Sequence, residues 1–183
     1  MSPLLSAALE IQSFLEGERL PFCFIGGLAL QRWGEPRFTR DIDLTLLCAY
    51  GQEAGMAGRL LTCFQSRVTD AKAFAVENRV LLLSSSGGVP LDVALGAIPF
   101  EERSVARATA FDFSGEVLNT CSAEDLIVMK AFAGRDRDWA DIESVCMRRG
   151  SVLDWPQIIE ELTPLAALRD PAVIFARLDR FRG

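Results

Sequence analysis

Two aspartates, Asp41 and Asp43, stand one residue apart at the start of an apolar run that ends at Leu47. Residues i and i+2 of a strand project from the same face, so the two carboxylates lie side by side while Ile42 and Leu44 face the core. Carboxylates this close repel each other and raise each other's pKa unless a cation lies between them. The pair therefore predicts a fold in which a strand begins at a cation site.

A third aspartate, Asp92, interrupts another apolar run, from Pro90 to Leu95. If that segment lies beside the strand of Asp43, three carboxylates converge. The chain has no histidine, which excludes Ser-His-Asp triads, histidine acid–base catalysis and His-containing zinc sites. An oxygen-only site favours Mg²⁺ or Mn²⁺. Two such ions can align an attacking oxygen and a leaving phosphate for in-line displacement.

A glycine pair, Gly26-Gly27, lies between a predicted strand at residues 22–25 and a short predicted helix at 28–33. We expect a tight turn whose backbone N–H groups approach a phosphate, with the positive end of the helix dipole beside it. A glycine pair alone is weak evidence. Paired acids on the next strand and a third acid on a later strand make the pattern much stronger.

The rest of the chain predicts an α/β (α+β) fold with a small mixed sheet. The first half has a helix ending at Gly17, a helix at 53–64, and a hairpin of residues 79–84 and 89–95. Beyond residue 98 come a short helix at 99–107, a strand pair at 109–113 and 116–118, and helices at 126–133, 138–149, 155–162 and 171–181. We predict two parts, residues 1–97 and a mainly helical subdomain at 98–183, with the site between them.

The composition narrows the partners and the compartment. The net charge of −6 disfavours non-specific nucleic-acid binding, although it allows a local basic face. No apolar run reaches membrane-spanning length, and the N-terminus has no basic segment before its apolar residues. The five cysteines are widely spaced and include no C-x-x-C pair, which predicts buried free thiols in the cytoplasm.

Taken together, these motifs resemble the polymerase-beta-type nucleotidyltransferase superfamily. The resemblance lies in Gly26-Gly27 followed by residues 37–44, RFTRDIDL. Two later segments, SAEDLIVMK at 122–130 and RDRDWADI at 135–142, resemble the AbiEii-like branch. That branch includes toxins of type IV toxin–antitoxin systems. The similarity spans roughly residues 20–145, in the family's order.

The resemblance implies a nucleotidyltransferase core that moves a nucleoside monophosphate from an NTP to an acceptor with Mg²⁺ (or Mn²⁺). Asp41 and Asp43 hold the metals, and Asp92 is the third carboxylate, which can help to deprotonate the acceptor hydroxyl. Substrate-binding roles fall to Gly26, Gly27, Arg37, Thr39, Arg40, Lys130, Asp138 and Asp141. Among these, the glycines line the triphosphate, Lys130 meets a phosphate, and Asp138 or Asp141 orients Lys130 or the arginines.

One position departs from the family pattern, because many members have serine where this chain has Gly27. The expected phosphate-binding site therefore lacks one hydroxyl group. The implied acceptor is a tRNA-like RNA or a protein, and the implied partner is an antitoxin. Two other functions stay open: a non-catalytic nucleotide-sensing module and a protein-interaction module with the same fold.

Each candidate residue also has a plainer interpretation. Asp41 and Asp43 can be a strand-edge pair answering Arg37 and Arg40. Asp92 can cap a turn or pair with an arginine, and the glycines can form only a turn.

The later candidates have plainer interpretations too. Lys130 can be a surface lysine on an apolar helix. Arg135, Asp138 and Asp141 can form a surface salt-bridge ladder. The cluster of Arg32, Arg37 and Arg40 either binds a polyanion or balances the acids.

Overall fold

The computed structural model describes residues 2–182. The strands are β1 (Phe22–Phe24), β2 (Ile42–Leu47), β3 (Gln65–Ser66), β4 (Val80–Ser84), β5 (Pro90–Gly96), β6 (Thr109–Phe113) and β7 (Glu116–Thr120). The helices are α1 (Pro3–Gly17), α2 (Gly26–Trp33), α3 (Glu53–Leu60), α4 (Ala71–Asn78), α5 (Pro99–Arg107), α6 (Ala123–Ala133), α7 (Asp136–Arg149), α8 (Trp155–Ala166) and α9 (Pro171–Leu178). Within the described part of the chain, no helix is both long and apolar enough to cross a membrane.

All seven strands form one sheet in the order β3-β4-β5-β2-β1-β7-β6. The sheet is mixed, as predicted: β2 runs parallel to β5 and antiparallel to β1, and β4 and β5 form the predicted antiparallel hairpin. The register of β2 on β5 sets Asp43 opposite Asp92. The two acid-bearing strands are therefore direct neighbours near the middle of the sheet.

The chain forms two compact units. The first comprises the residues up to Leu28 and Phe38–Cys121, and it contains the whole sheet. Its core is the apolar face of α1, with Ile11 and Leu15 fully buried, against alternate residues of the central strands such as Leu44. The second unit comprises Ala29–Arg37 and the chain from Ser122 onward, and it contains α6 to α9.

Several local predictions need correction. Gly26 and Gly27 are the first residues of α2 rather than a turn that precedes it, and the helix predicted for residues 53–64 ends at Leu60. No sequence pattern predicts β3 or α4, because β3 has only two residues and α4 has no clear apolar stripe. Cys63 is exposed, so the five thiols are not all buried.

Candidate active site

Three carboxylates converge in the first unit. Asp41 directly precedes β2, Asp43 is the second residue of β2, and Asp92 is its partner on β5. One carboxylate oxygen from each lies within 4.8 Å of the others, and all three residues are half-buried. This confirms the convergence expected from the sequence. The parallel register explains it, since residues paired directly across two strands project from the same face of the sheet.

The donor set fits a small divalent cation. The three ligands are all oxygens, which Mg²⁺ and Mn²⁺ prefer. The ligand oxygens lie within 4.8 Å of one another, so the three residues could hold a cation together. The half-buried position leaves one side open to a substrate.

The first glycine of α2 makes room for one of these carboxylates. Gly26 has a φ of +57°, the left-handed region that glycine adopts without strain. A Cβ at this position would overlap the Oδ2 atom of Asp43 and lie 2.7 Å from its Cγ atom. Any side chain at position 26 would therefore displace Asp43.

The second glycine makes room for a hydroxyl. A Cβ on Gly27 would lie 2.7 Å from Oγ1 of Thr39. That same hydroxyl donates a hydrogen bond of 2.8 Å to Oδ1 of Asp41. The glycine pair thus brings the start of α2 against Asp43 and Thr39.

Arg67, which follows β3, is a site residue that the sequence analysis missed. Its guanidinium forms an ion pair with Oδ1 of Asp92. Its position is fixed by two further bonds, from Nε to the carbonyl of Leu83 at 2.8 Å and from its backbone N–H to Leu82 at 2.8 Å. The alternative in which Asp92 pairs with an arginine is therefore correct, and it coexists with the cluster of three carboxylates.

A buried ion cluster lies in the second unit. Lys130 is only 6% exposed, and its Nζ lies 2.6 Å from Oδ2 of Asp141 and 3.4 Å from Oδ1 of Asp138. Arg37 makes two hydrogen bonds of 3.1 Å to Asp141, and Arg135 binds Asp138 at 2.6 Å. The surface-lysine and surface-ladder interpretations are wrong, because Lys130, Asp138 and Asp141 are all buried.

The charges of this cluster lower the pKa of one acid, Asp138. Burial alone would raise the pKa of Asp138, but the hydrogen bond from Arg135 and the positive charges of Lys130 and Arg135 outweigh it and lower the pKa below its usual value. Asp138 is therefore ionised at neutral pH, and it accepts a hydrogen bond from Lys130.

The arginines near the paired acids have separate partners. Arg37 binds Asp141, Arg32 stacks on Trp33 at 3.9 Å, and Arg40 lies 5.6 Å from the ring centroid of Phe38. Arg37 and Arg40 thus do not neutralise Asp41 and Asp43.

Comparison with known families decides the identity. The model of the family described as nucleotidyl transferase AbiEii toxin, type IV TA system, matches residues 11–148, most of the chain. The chain belongs to the AbiEii family. It is a nucleotidyltransferase, as its resemblance to the superfamily predicted.

Solved structures share the fold of this AbiEii-family chain. An antigenic nucleotidyltransferase-like protein from Paracoccidioides brasiliensis is 17% identical, with a TM-score of 0.56 over 96% of this chain and 94% of that one. The antibiotic-resistance factor ANT(2'')-Ia is 16% identical, with a TM-score of 0.55 over 96% and 95%. The lincomycin-bound lincosamide adenylyltransferase LnuA is 12% identical, with a TM-score of 0.52 over 76% and 94%. The comparison with curated proteins finds no match.

The predicted site residues of this AbiEii-family enzyme thus fall into two groups. Asp41, Asp43, Asp92, Thr39 and the glycine pair meet in the first unit, with Arg40 beside Phe38. Lys130, Asp138, Asp141 and Arg37 meet in the second. Their roles toward substrate stay predictions.

Proposed function

We propose that the chain transfers a nucleoside monophosphate from an NTP to a hydroxyl of a tRNA-like RNA, in a reaction that requires Mg²⁺ or Mn²⁺. The observation that carries this proposal is the convergence of Asp41, Asp43 and Asp92 within 4.8 Å. Membership of the AbiEii family supports the reaction class. The oxygen-only donor set supports the metal requirement.

In the proposed reaction, an acceptor oxygen attacks the α-phosphorus of the NTP and pyrophosphate leaves as the bond to the β-phosphate oxygen breaks. Asp41 and Asp43 hold the metal ions, and the hydrogen bond from Thr39 holds Asp41 in place. What Mg²⁺ or Mn²⁺ supplies when bound is neutralisation of charge on the transferring phosphate and activation of the attacking oxygen.

Asp92 is the proposed acceptor of the hydroxyl proton. Arg67 binds its Oδ1 atom, so Oδ2 is the oxygen that can take the proton. The proton then passes on to solvent, which frees Asp92 for the next turnover.

The buried cluster has a supporting role in this proposal. Asp138 and Asp141 hold the Lys130 ammonium group in one position. A lysine that two acids already orient loses little rotamer entropy when it binds a phosphate. We also propose an antitoxin partner, on the basis of the toxin–antitoxin family that the chain belongs to.

The test uses each of the four α-³²P-labelled NTPs with Mg²⁺, offered with total tRNA and with protein alone. Wild type is compared with Asp43→Asn, which keeps the shape and removes the charge. The matched control is Asp136→Asn, because the Asp136 side chain is 98% exposed and lies outside the carboxylate cluster.

We expect label in tRNA with wild type and with Asp136→Asn, and at least a hundredfold loss with Asp43→Asn. Transfer that survives Asp43→Asn would refute the carboxylate mechanism. Label in protein alone would keep the mechanism and change the acceptor. Mg²⁺-dependent NTP binding without transfer to either acceptor would favour the nucleotide-sensing alternative.

A further inference from the structure

An exposed aromatic ring lies close in sequence to the carboxylate cluster. Phe38 is 80% exposed, three residues before Asp41. Arg40 is also exposed, and the centre of its guanidinium lies 5.6 Å from the centroid of the Phe38 ring. Single exposed apolar residues are common on protein surfaces, so the ring alone would mean little. Arg40 supplies the second observation.

Arg40 is adjacent in sequence to Asp41, yet it forms no ion pair with a residue of the described chain, 2–182. Its guanidinium lies against the Phe38 ring. Such a contact between exposed groups adds little to folding stability. The guanidinium is therefore not neutralised by Asp41, the acid beside it in sequence.

Another exposed aromatic–arginine pair in the same unit provides a contrast. Tyr50 is 66% exposed and lies under Arg79, at 4.3 Å. Arg79 also binds Glu53 and donates to the carbonyls of Cys48 and Leu95, so its packing accounts for that pair. The Phe38–Arg40 pair has no comparable set of partners among residues 2–182.

The backbone keeps this pair close to the chemistry. The hydrogen bond from Thr39 to Asp41 ties the segment that carries Phe38 and Arg40 to the carboxylate cluster. Three residues span at most about 10 Å when extended. A nucleotide whose phosphate or hydroxyl lies at the carboxylates can therefore reach the ring with its base.

We propose that Phe38 and Arg40 form a stacking platform for a nucleobase that is bound during transfer. A flat aromatic ring stacks on any base, and an arginine beside it adds cation–π attraction and contacts a neighbouring phosphate. The base belongs either to the NTP donor or to the terminal nucleotide of the RNA acceptor. This inference rests on the proposed function, whose substrates both carry bases.

The test measures base stacking directly. 2-Aminopurine loses fluorescence when it stacks, so the two probes are 2-aminopurine riboside triphosphate and a short single-stranded RNA that ends in 2-aminopurine. Each probe is titrated with the full chain in Mg²⁺. The variants are Phe38→Ala, Phe38→Tyr and Arg40→Gln. Phe111→Ala, which removes a partly exposed ring from β6, is the matched control.

We expect Phe38→Ala to weaken the binding of one probe by about 5- to 150-fold and to abolish its quenching. Phe38→Tyr keeps a flat ring and should restore both to within about threefold. Arg40→Gln should weaken binding while leaving part of the quenching. Loss with the triphosphate alone assigns the base to the donor, and loss with the RNA alone assigns it to the acceptor.

Equal binding and quenching by wild type, Phe38→Ala and Phe111→Ala with both probes would overturn the inference. This failure is distinct from failure of the proposed function. If Phe38→Ala keeps transfer activity with unchanged KM values, the stacking platform is refuted and the proposed transfer reaction stands. If quenching depends on Phe38 but the chain has no transfer activity, the stacking platform stands and the proposed transfer reaction is refuted.

Discussion

Replacement of Lys130 by methionine separates a structural lysine from one that serves only the substrate. Methionine keeps most of the side-chain volume, so the cavity left in α6 is small. The loss is the positive charge shared by Asp138 and Asp141, both buried. Breaking a buried ion pair by removing one partner costs about 3–5 kcal/mol. Each aspartate keeps an arginine, so we expect the lower end, about 3 kcal/mol.

The effect should be measured as the free energy of unfolding in urea and as the melting temperature. For a chain of this size, about 3 kcal/mol corresponds to a fall of roughly 6–12 °C. Lys72→Met is the control, because Lys72 is the other lysine of the chain and its side chain is exposed. A cycle with Asp141→Asn should show a coupling energy of about 1–3 kcal/mol between the two positions.

The result that would refute this reasoning is a Lys130→Met protein as stable as Lys72→Met. If that protein also lost transfer activity, Lys130 would act on the substrate and would not contribute to the stability of the fold. A destabilised protein that keeps activity at low temperature would assign the cluster to folding alone.

Three further predictions follow from the site geometry. Gly26→Ala places an alanine in the left-handed region with its Cβ against Asp43. We expect a stability loss of roughly 1–2 kcal/mol and about a hundredfold loss of transfer activity. A near-normal kcat would contradict the close approach of position 26 to Asp43. We expect the stability deficit of Asp138→Asn to be full at neutral pH and to narrow in acid. The stabilisation from a lowered pKa is present above the ordinary aspartate pKa and is lost as pH falls through the lowered value; urea unfolding from neutral to acid pH checks this, and a constant deficit would refute it. Arg67→Gln removes the ion pair of Asp92. We expect the affinity for Mn²⁺, measured by electron paramagnetic resonance, to rise by about fivefold. Weaker Mn²⁺ binding would show that Arg67 helps to build the cation site.

Much of the fold could be predicted from local patterns. The strand at Ile42–Leu47, the β4–β5 hairpin and α1 all have strong apolar periodicity or clear turn signals. The sequence also predicts that Asp43 and Asp92 converge if their strands are neighbours, since an acid inside an apolar strand needs a partner or an ion. The register that sets them opposite each other depends on pairing across the sheet, which no local pattern specifies.

Other features of the site depend on contacts distant in sequence. Arg67 follows a strand of two residues, and nothing nearby in the sequence indicates that it binds Asp92. Lys130 lies on a helix that is buried on most of its surface, so the usual apolar stripe that would locate its inner face is missing. The space above Gly26 and Gly27 is filled by side chains from the following strand segment, and only the folded backbone shows this.

The parallel pairing of β2 with β5 also has a consequence for the timing of activity. Asp41 and Asp43 leave the ribosome well before Asp92, and a parallel pair forms only after the intervening crossover has been made. Contacts between distant segments are among the slower ones to form. A nascent or truncated chain that ends before β5 therefore lacks the third carboxylate entirely. If the three carboxylates act together as proposed, transfer requires a chain that extends past β5 and has paired β5 with β2.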